Sequence, residues 1–359
     1  MWINAVIRTK CFLMILVSLF SPAVLTASGF TVTDALGRTV HFERAPTRIV
    51  CAGRGMLLVA DCLFLFPEAS SRIVAMSRVG QGRKNFLLAL DPLYEKKAIL
   101  SHEVGPEQIA AAHPDAVVLK SYLASGLGRI LESLGIQVVY LSFETPQQYE
   151  QDIRTIGSLF QNEERTDEVS EFFRSRAERV KNALFDLNTS EKPKVLLLST
   201  SGGDCCNAFN VPSASWMQTA LIEIAGGLPV WKDMKSGSGW TKISFEQIAA
   251  WDPDYIFITA YFHNAVDVVA NLRQEQKWSR LSAVRNERFY AFPADFISWD
   301  QPDPRWILGL TWCAKKMHPT RFRGINMMGE VRNFYRILYG IEESALRTQV
   351  LPLVHGDVF

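Results

Sequence analysis

Three arginines, two histidines and three aromatic residues occupy places where this chain could hold a small anionic or metal-bearing ligand. Arg54 follows the apolar run TRIVCAG, and Arg83 lies in SRVGQGRKN after a second such run. Glycines beside each let a ligand approach the backbone, and a helix beginning near Arg54 adds positive potential. A guanidinium in such a loop can clamp an anionic group through two parallel hydrogen bonds. His102 precedes a helix start and His263 follows the strand-like run YIFITA, so both can stand on a rim. Trp240 in SGSGWTK, Trp299 in FPADFISWDQPDP and Tyr261 offer broad faces. Such faces bury much area at low entropic cost, which suits a large planar or greasy chelate. Arg305 falls in the first turn of a predicted helix, where the helix dipole would favour an acid. Its partner is then an anion, either a ligand or the nearby Asp300 or Asp303.

The catalytic signatures of several enzyme classes are absent. The chain has no G-x-S-x-G, no H-E-x-x-H, no G-x-x-x-x-G-K-[ST] and no dinucleotide glycine fingerprint. One enzyme reading stands beside the binding reading: His102, His263 and Asp295 could serve a two-lobed chelatase that inserts metal into tetrapyrroles. With 38 basic and 37 acidic residues in 359, the charge is balanced. That argues against a nucleic-acid surface or a polybasic membrane patch.

The elements that must position these residues are announced by a repeat. EQIAAAHPDAVVL at 107–119 returns as EQIAAWDPDYIFI at 246–258. Each copy opens as a helix. Proline follows Gly105 in the first, and Ser244 begins a capping box in the second. Each helix ends at Pro114 or Pro253, with Asp115 or Asp254 in the turn, and each copy closes in a run rich in strand formers. The unit is a helix leading into a buried parallel strand. A helix antiparallel to its strand begins at the sheet edge where strands end, and open parallel sheets bind ligands there. Glu107 and Glu246 should therefore stand exposed on the ligand side, one on each lobe.

TRIVCAG, RIVAM, AVVL and VVYL read as strands of a first α/β lobe, and KVLLLS, YIFI and RFYAF as strands of a second. Residues 146 to about 186 have helical spacing and high charge, and predict one long helix between the lobes. The expected partition is a leader at 1–27, a lobe at 28–158, the connecting helix at 159–187, a second lobe at 188–320 and a helical tail at 321–359. Arg8 and Lys10, the apolar CFLMILVSLF at 11–20 and the small-residue exit SPAVLTASG have the form of a cleaved export signal, cut near Ala27. The apolar run is too short to span a bilayer. Beyond Cys11 the cysteines are Cys51, Cys62, Cys205, Cys206 and Cys313, an odd set with no C-x-x-C. Cys51 and Cys313 read as core residues. For the adjacent Cys205 and Cys206, a vicinal disulfide, a soft metal site and two free thiols all stay open.

TVTDALGRTVHFERAPTRIVCAG at 31–53, the two E-x-I-A-x-x-x-P-D units, IEIAGG at 222–227 and DPRWILGLTWCAKKMHP at 303–319 occur in this order. Together they resemble the class III periplasmic solute-binding proteins of ABC importers, over nearly the whole chain after the leader. The resemblance implies two α/β lobes joined by one long helix, no catalysis and no intrinsic cofactor. It implies a monomer that takes its ligand between the lobes, closes modestly, and docks on a permease dimer. Glu107 and Glu246 match the glutamates that engage permease arginines, and Trp240 matches a ligand-packing aromatic of corrinoid carriers. HPTRFRGINMMGEVRNFYRILYG at 318–340 resembles a subgroup whose members carry iron complexes or molybdate and tungstate. The expected cargo is a metal chelate, foremost a ferric siderophore or related iron complex, with a corrinoid or small oxyanion as the alternative.

Overall fold

The computed structural model describes residues 29–78, 84–200, 209–234, 237 and 239–359. The leader, Arg83, Cys205 and Cys206 lie outside the described residues. The first lobe opens with a hairpin, β1 (Phe30–Thr33) and β2 (Thr39–Phe42), paired antiparallel. Its sheet contains β3 (Ile49–Cys51), β4 (Ile73–Ser77), β5 (Ala98–Leu100), β6 (Ala116–Lys120) and β7 (Val138–Leu141). These strands are all parallel, in the order β5-β4-β3-β6-β7. Strands β3, β6 and β7 are buried along their whole length, as expected of continuous apolar runs covered on both faces.

The second sheet contains β8 (Lys194–Thr200), β9 (Phe209–Val211), β10 (Leu228–Pro229), β11 (Thr241–Ile243), β12 (Tyr255–Thr259) and β13 (Phe289–Ala291). Its order is β11-β9-β8-β12-β13, with β10 beside β8. The second sheet is parallel except at one edge. Strands β10, β12 and β13 run parallel to their neighbours, but β9 is antiparallel to both β8 and β11. The stretch 201–208 is shorter than the dozen residues a parallel crossover needs, so β9 must turn back on β8.

Ten helices carry the rest of the argument. In the first lobe they are α1 (Met56–Leu63), α2 (Phe86–Leu90), α3 (Pro106–Ala110) and α4 (Pro146–Phe160). Helix α5 (Glu163–Ala183) connects the sheets. The second lobe has α6 (Met217–Ile224), α7 (Phe245–Trp251), α8 (Ala265–Gln274) and α9 (Trp306–Met317), and α10 (Met327–Tyr339) follows in the tail. The single long helix expected between residues 146 and 186 is two helices. Gln161 adopts a left-handed φ of 55°, and the Asn162 side chain caps α5 by accepting from the Arg165 amide at 3.0 Å. A cap of this kind competes with continuation of the helix, which charge and spacing do not reveal. Among the described residues no helix is long and apolar enough to cross a membrane. Cys51, Cys62 and Cys313 are buried and form no disulfide among the described residues.

The repeat noted in the sequence repeats in conformation as well. Helix α3 leads into β6 and α7 into β12. The residue before each proline, His113 in one copy and Asp252 in the other, takes a left-handed φ, 47° and 37°. The following aspartates then perform the same task. Asp115 Oδ2 accepts from the amides of Thr47 at 2.9 Å and Arg48 at 3.1 Å, and Asp254 Oδ2 accepts from the Lys194 amide at 2.8 Å. In return, the Asp115 amide donates to the Arg48 carbonyl and the Asp254 amide to the Lys194 carbonyl, each at 2.8 Å. These contacts pin β6 beside β3 and β12 beside β8. Register matters because a slip of one residue would turn every side chain of the strand to the other face.

Candidate ligand cleft

On the first lobe, the site begins where β3 ends. Gly53 and Gly55 have φ of 89° and 75°, conformations that L side chains rarely adopt. A Cβ on Gly53 would also stand 2.5 Å from a Leu123 methyl, so a larger residue here would be strained and would push Leu123 aside. The Gly53 amide donates to Ser77 Oγ at 2.9 Å, and that hydroxyl donates to the Ser101 carbonyl at 3.0 Å. The ends of β3, β4 and β5 are thereby laced together. Arg54 is thrown outward, with its side chain 68% exposed. Its Nε donates to Glu103 Oε1 at 2.7 Å, and the Tyr122 hydroxyl donates to its carbonyl at 2.7 Å. His102 is exposed beside Glu103. This rim can present a guanidinium to an anion, although Glu103 offsets part of its charge.

The second lobe contributes a cavity of about 370 Å³ at the ends of β12 and β13. Tyr261, His263, Asp267, Phe296, Gln301 and His355 are among the residues lining it. Tyr261 and Ser298 of its lining donate to the buried Asp300 at 2.6 Å and 2.5 Å, and Thr259 donates to the same carboxylate at 2.9 Å. Burial pushes the Asp300 carboxyl up, and these three hydroxyl donors work against that shift. Tyr261 then meets Trp240 edge-on at 5.9 Å, and Trp240 meets Trp216 at 5.7 Å. All three rings are half-buried, forming an aromatic wall beside the cavity. Gln301 is 5% exposed, and its amide nitrogen has no hydrogen-bond partner among the described residues.

Two residues expected at the ligand are elsewhere. Trp299 is fully buried and donates from Nε1 to Asp295 Oδ2 at 3.0 Å. Arg305 is also fully buried, and its side chain is surrounded by carboxylates. Its Nε donates to Asp295 at 2.6 Å, and its Nη1 donates to Asp61 at 2.7 Å and to Asp303 at 2.9 Å. The anionic partner inferred from its position is thus protein. Asp303 was foreseeable from its nearness in sequence, but Asp61 comes from α1 of the first lobe and was not. Burial pushes the Asp61 and Asp303 carboxyls up while Arg305 pulls them down. Asp295 has both oxygens engaged by Arg305, Trp299 and Tyr335, so it is not free to act as a base beside His263.

The structure therefore brings Trp240, Tyr261 and His263 to one lobe edge, and Arg54 and His102 to the other. Tyr122, Trp216, Asp267, Gln301 and His355 join them without having been singled out. The only sequence signal for the first two was position, directly after β6 and directly before α6. Glu107 and Glu246 are exposed in the first turns of α3 and α7. Backbone and Ser244 hydrogen bonds hold the Glu246 carboxyl below its usual range. Among the described residues no three His, Cys, Asp or Glu side chains group to hold a metal ion.

The chain resembles known proteins along most of its length. The molybdate-binding protein MolA of Haemophilus influenzae is 22% identical over 91% of this chain and 97% of its own. The structure matches an ABC transporter solute-binding protein of Sulfurospirillum deleyianum with a TM-score of 0.72 at 22% identity, covering 89% of this chain and 98% of that one. It also matches the nickel–histidine complex of Helicobacter pylori CeuE with a TM-score of 0.68 at 17% identity, over 90% and 99% of the two chains. These likenesses show the fold. Residues 83–296 match the family model described as periplasmic binding protein, which is more than half of the sequence. The chain belongs to the periplasmic binding protein family.

Proposed function

We propose that this protein is the exported, monomeric binding subunit of an ABC importer, and that it carries a metal chelate, foremost a ferric siderophore or related iron complex. The observation that carries the choice of ligand is the half-buried aromatic wall of Trp216, Trp240 and Tyr261 beside the cavity of about 370 Å³. Aromatic faces of this kind gain most from a ligand with extended apolar or planar surface. His263 and His102 stand exposed on the two rims. In this reading the leader directs export with cleavage near Ala27, and Glu107 and Glu246 dock the loaded carrier on its permease dimer.

A second reading is favoured by the relative named for molybdate and by Arg54, an exposed guanidinium at the end of β3. A small oxyanion would be held there by charge-assisted hydrogen bonds, and the aromatic wall would play no part. Native mass spectrometry of gently purified protein, with an absorption spectrum and elemental analysis of the same sample, separates the two. A coloured adduct of several hundred daltons containing iron or cobalt supports the chelate. A small colourless adduct containing molybdenum or tungsten replaces it with the oxyanion. Turnover of a tetrapyrrole with metal would overturn both.

A further inference from the structure

One buried node joins both lobes to the tail, and the wall of the cavity hangs from it. Asp61 on α1 belongs to the first lobe and is 1% exposed. Arg305, at the start of α9 in the second lobe, donates to it at 2.7 Å and to Asp295 at 2.6 Å. Asp295 immediately precedes Phe296, Ile297 and Ser298, which line the cavity. Its second oxygen accepts from Tyr335 of the tail helix α10 at 2.7 Å. A further ring contact crosses the same seam. Phe86 of α2 packs on Phe296 at 4.9 Å, on Tyr335 at 5.6 Å and on Tyr339 at 4.8 Å, and the Arg305 guanidinium lies 4.7 Å from its centroid. Tyr339 closes the circuit by donating to the Asp61 carbonyl at 3.1 Å. The tail helix is also held to α5, where Arg176 and Arg179 both pair with Glu330.

We propose that Arg305 is a positioning residue for ligand capture, tying the cavity wall at 294–301 to the first lobe through Asp295 and Asp61 so that the cleft has its width before ligand arrives. The physical reason is that opening the seam has two costs that fall together. Phe86, Phe296, Tyr335 and Tyr339 would lose apolar burial, and the Arg305–Asp61 pair would be broken in a region where every neighbouring charge depends on Arg305. The importance of this tie to capture rests on the carrier reading, but the tie itself is tested without any ligand.

The test compares the full mature chain with Asp61→Leu, which keeps the branched outline of the side chain, though with bulkier methyl groups, and removes the carboxylate acceptor on the first lobe. Small-angle scattering gives the lobe separation, and hydrogen exchange followed by mass spectrometry gives local opening. The expected result is a larger radius of gyration for the variant. Exchange should also be faster by about tenfold at 56–63 and 294–301, with the sheet strands unchanged. A variant that exchanges faster everywhere at unchanged radius would mean a plain stability role and would overturn the proposal. So would a variant indistinguishable from the parent. Phe86→Leu, which weakens the ring contact and leaves the charges intact, serves if Asp61→Leu does not fold, and the same two readouts apply to it. Neither readout changes if the cargo proves to be something other than a chelate.

Discussion

Replacing Arg305 with methionine should destabilise the protein substantially without acting through ligand contact. The side chain is fully buried and makes ion pairs with Asp61, Asp295 and Asp303, and Nε additionally donates to Tyr335 at 3.1 Å. Methionine fills comparable space but leaves three carboxyl groups in a low-dielectric site with no counter-charge. Breaking a buried pair by removing one partner costs about 3–5 kcal/mol. The unfolding entropy of a chain of 359 residues is about 0.75 kcal/mol/K at its midpoint, so the midpoint should fall by about 4–7 °C. The assay is thermal unfolding followed by circular dichroism, with ligand affinity measured by calorimetry at a temperature where both proteins are folded. A midpoint unchanged within a degree, together with a large loss of affinity, would refute the reasoning. Arg305 would then face the ligand, as its place in the sequence alone suggests.

Three further outcomes are expected. Trp240→Ala should weaken the ligand recovered with the protein by roughly 2 kcal/mol, as loss of a central aromatic anchor does, and a fluorescence titration showing no change would remove Trp240 from the wall. Reversing both Glu107 and Glu246 to lysine should leave ligand affinity nearly intact and abolish uptake in cells that depend on the importer; surviving uptake would end the docking assignment. Stability should fall as pH rises from about 4 to 6. Burial pushes Asp152 up to about 6, and pushes Asp300 up as well, so the folded state retains protons that the unfolded chain has lost. Each such proton contributes at most about 1.4 kcal/mol per pH unit within its own window, beginning near pH 4. A midpoint that rises between pH 4 and 6, or Asp152→Asn leaving the slope over that range unaltered, would contradict this.

The sequence by itself determined the local and repeated features of this protein. Apolar runs such as AVVL and YIFI become buried central strands because a strand covered on both faces needs no alternation. The paired E-x-I-A-x-x-x-P-D units specify matching helices, left-handed residues and capping aspartates in both lobes, because each of those steps is decided within a few residues. The same locality makes Glu107 and Glu246 legible as exposed, first-turn residues. Tertiary structure alone decided what met across the chain. The break at Gln161 and Asn162 hides within a stretch whose charge and spacing stay helical throughout. Trp216 and Trp240 become one wall with Tyr261 only after β11 folds against β9 and β12 takes its place beside β8. Arg305 and Trp299 show the difference most clearly. Their neighbours in sequence gave each a place on the ligand edge, but Arg305 is engaged by Asp61, from a helix more than two hundred residues earlier, and Trp299 by Asp295, which also accepts from Tyr335 of the tail. A guanidinium seeks an anion wherever it lies, and which anion reaches it is fixed by how the lobes and tail pack, not by spacing along the chain.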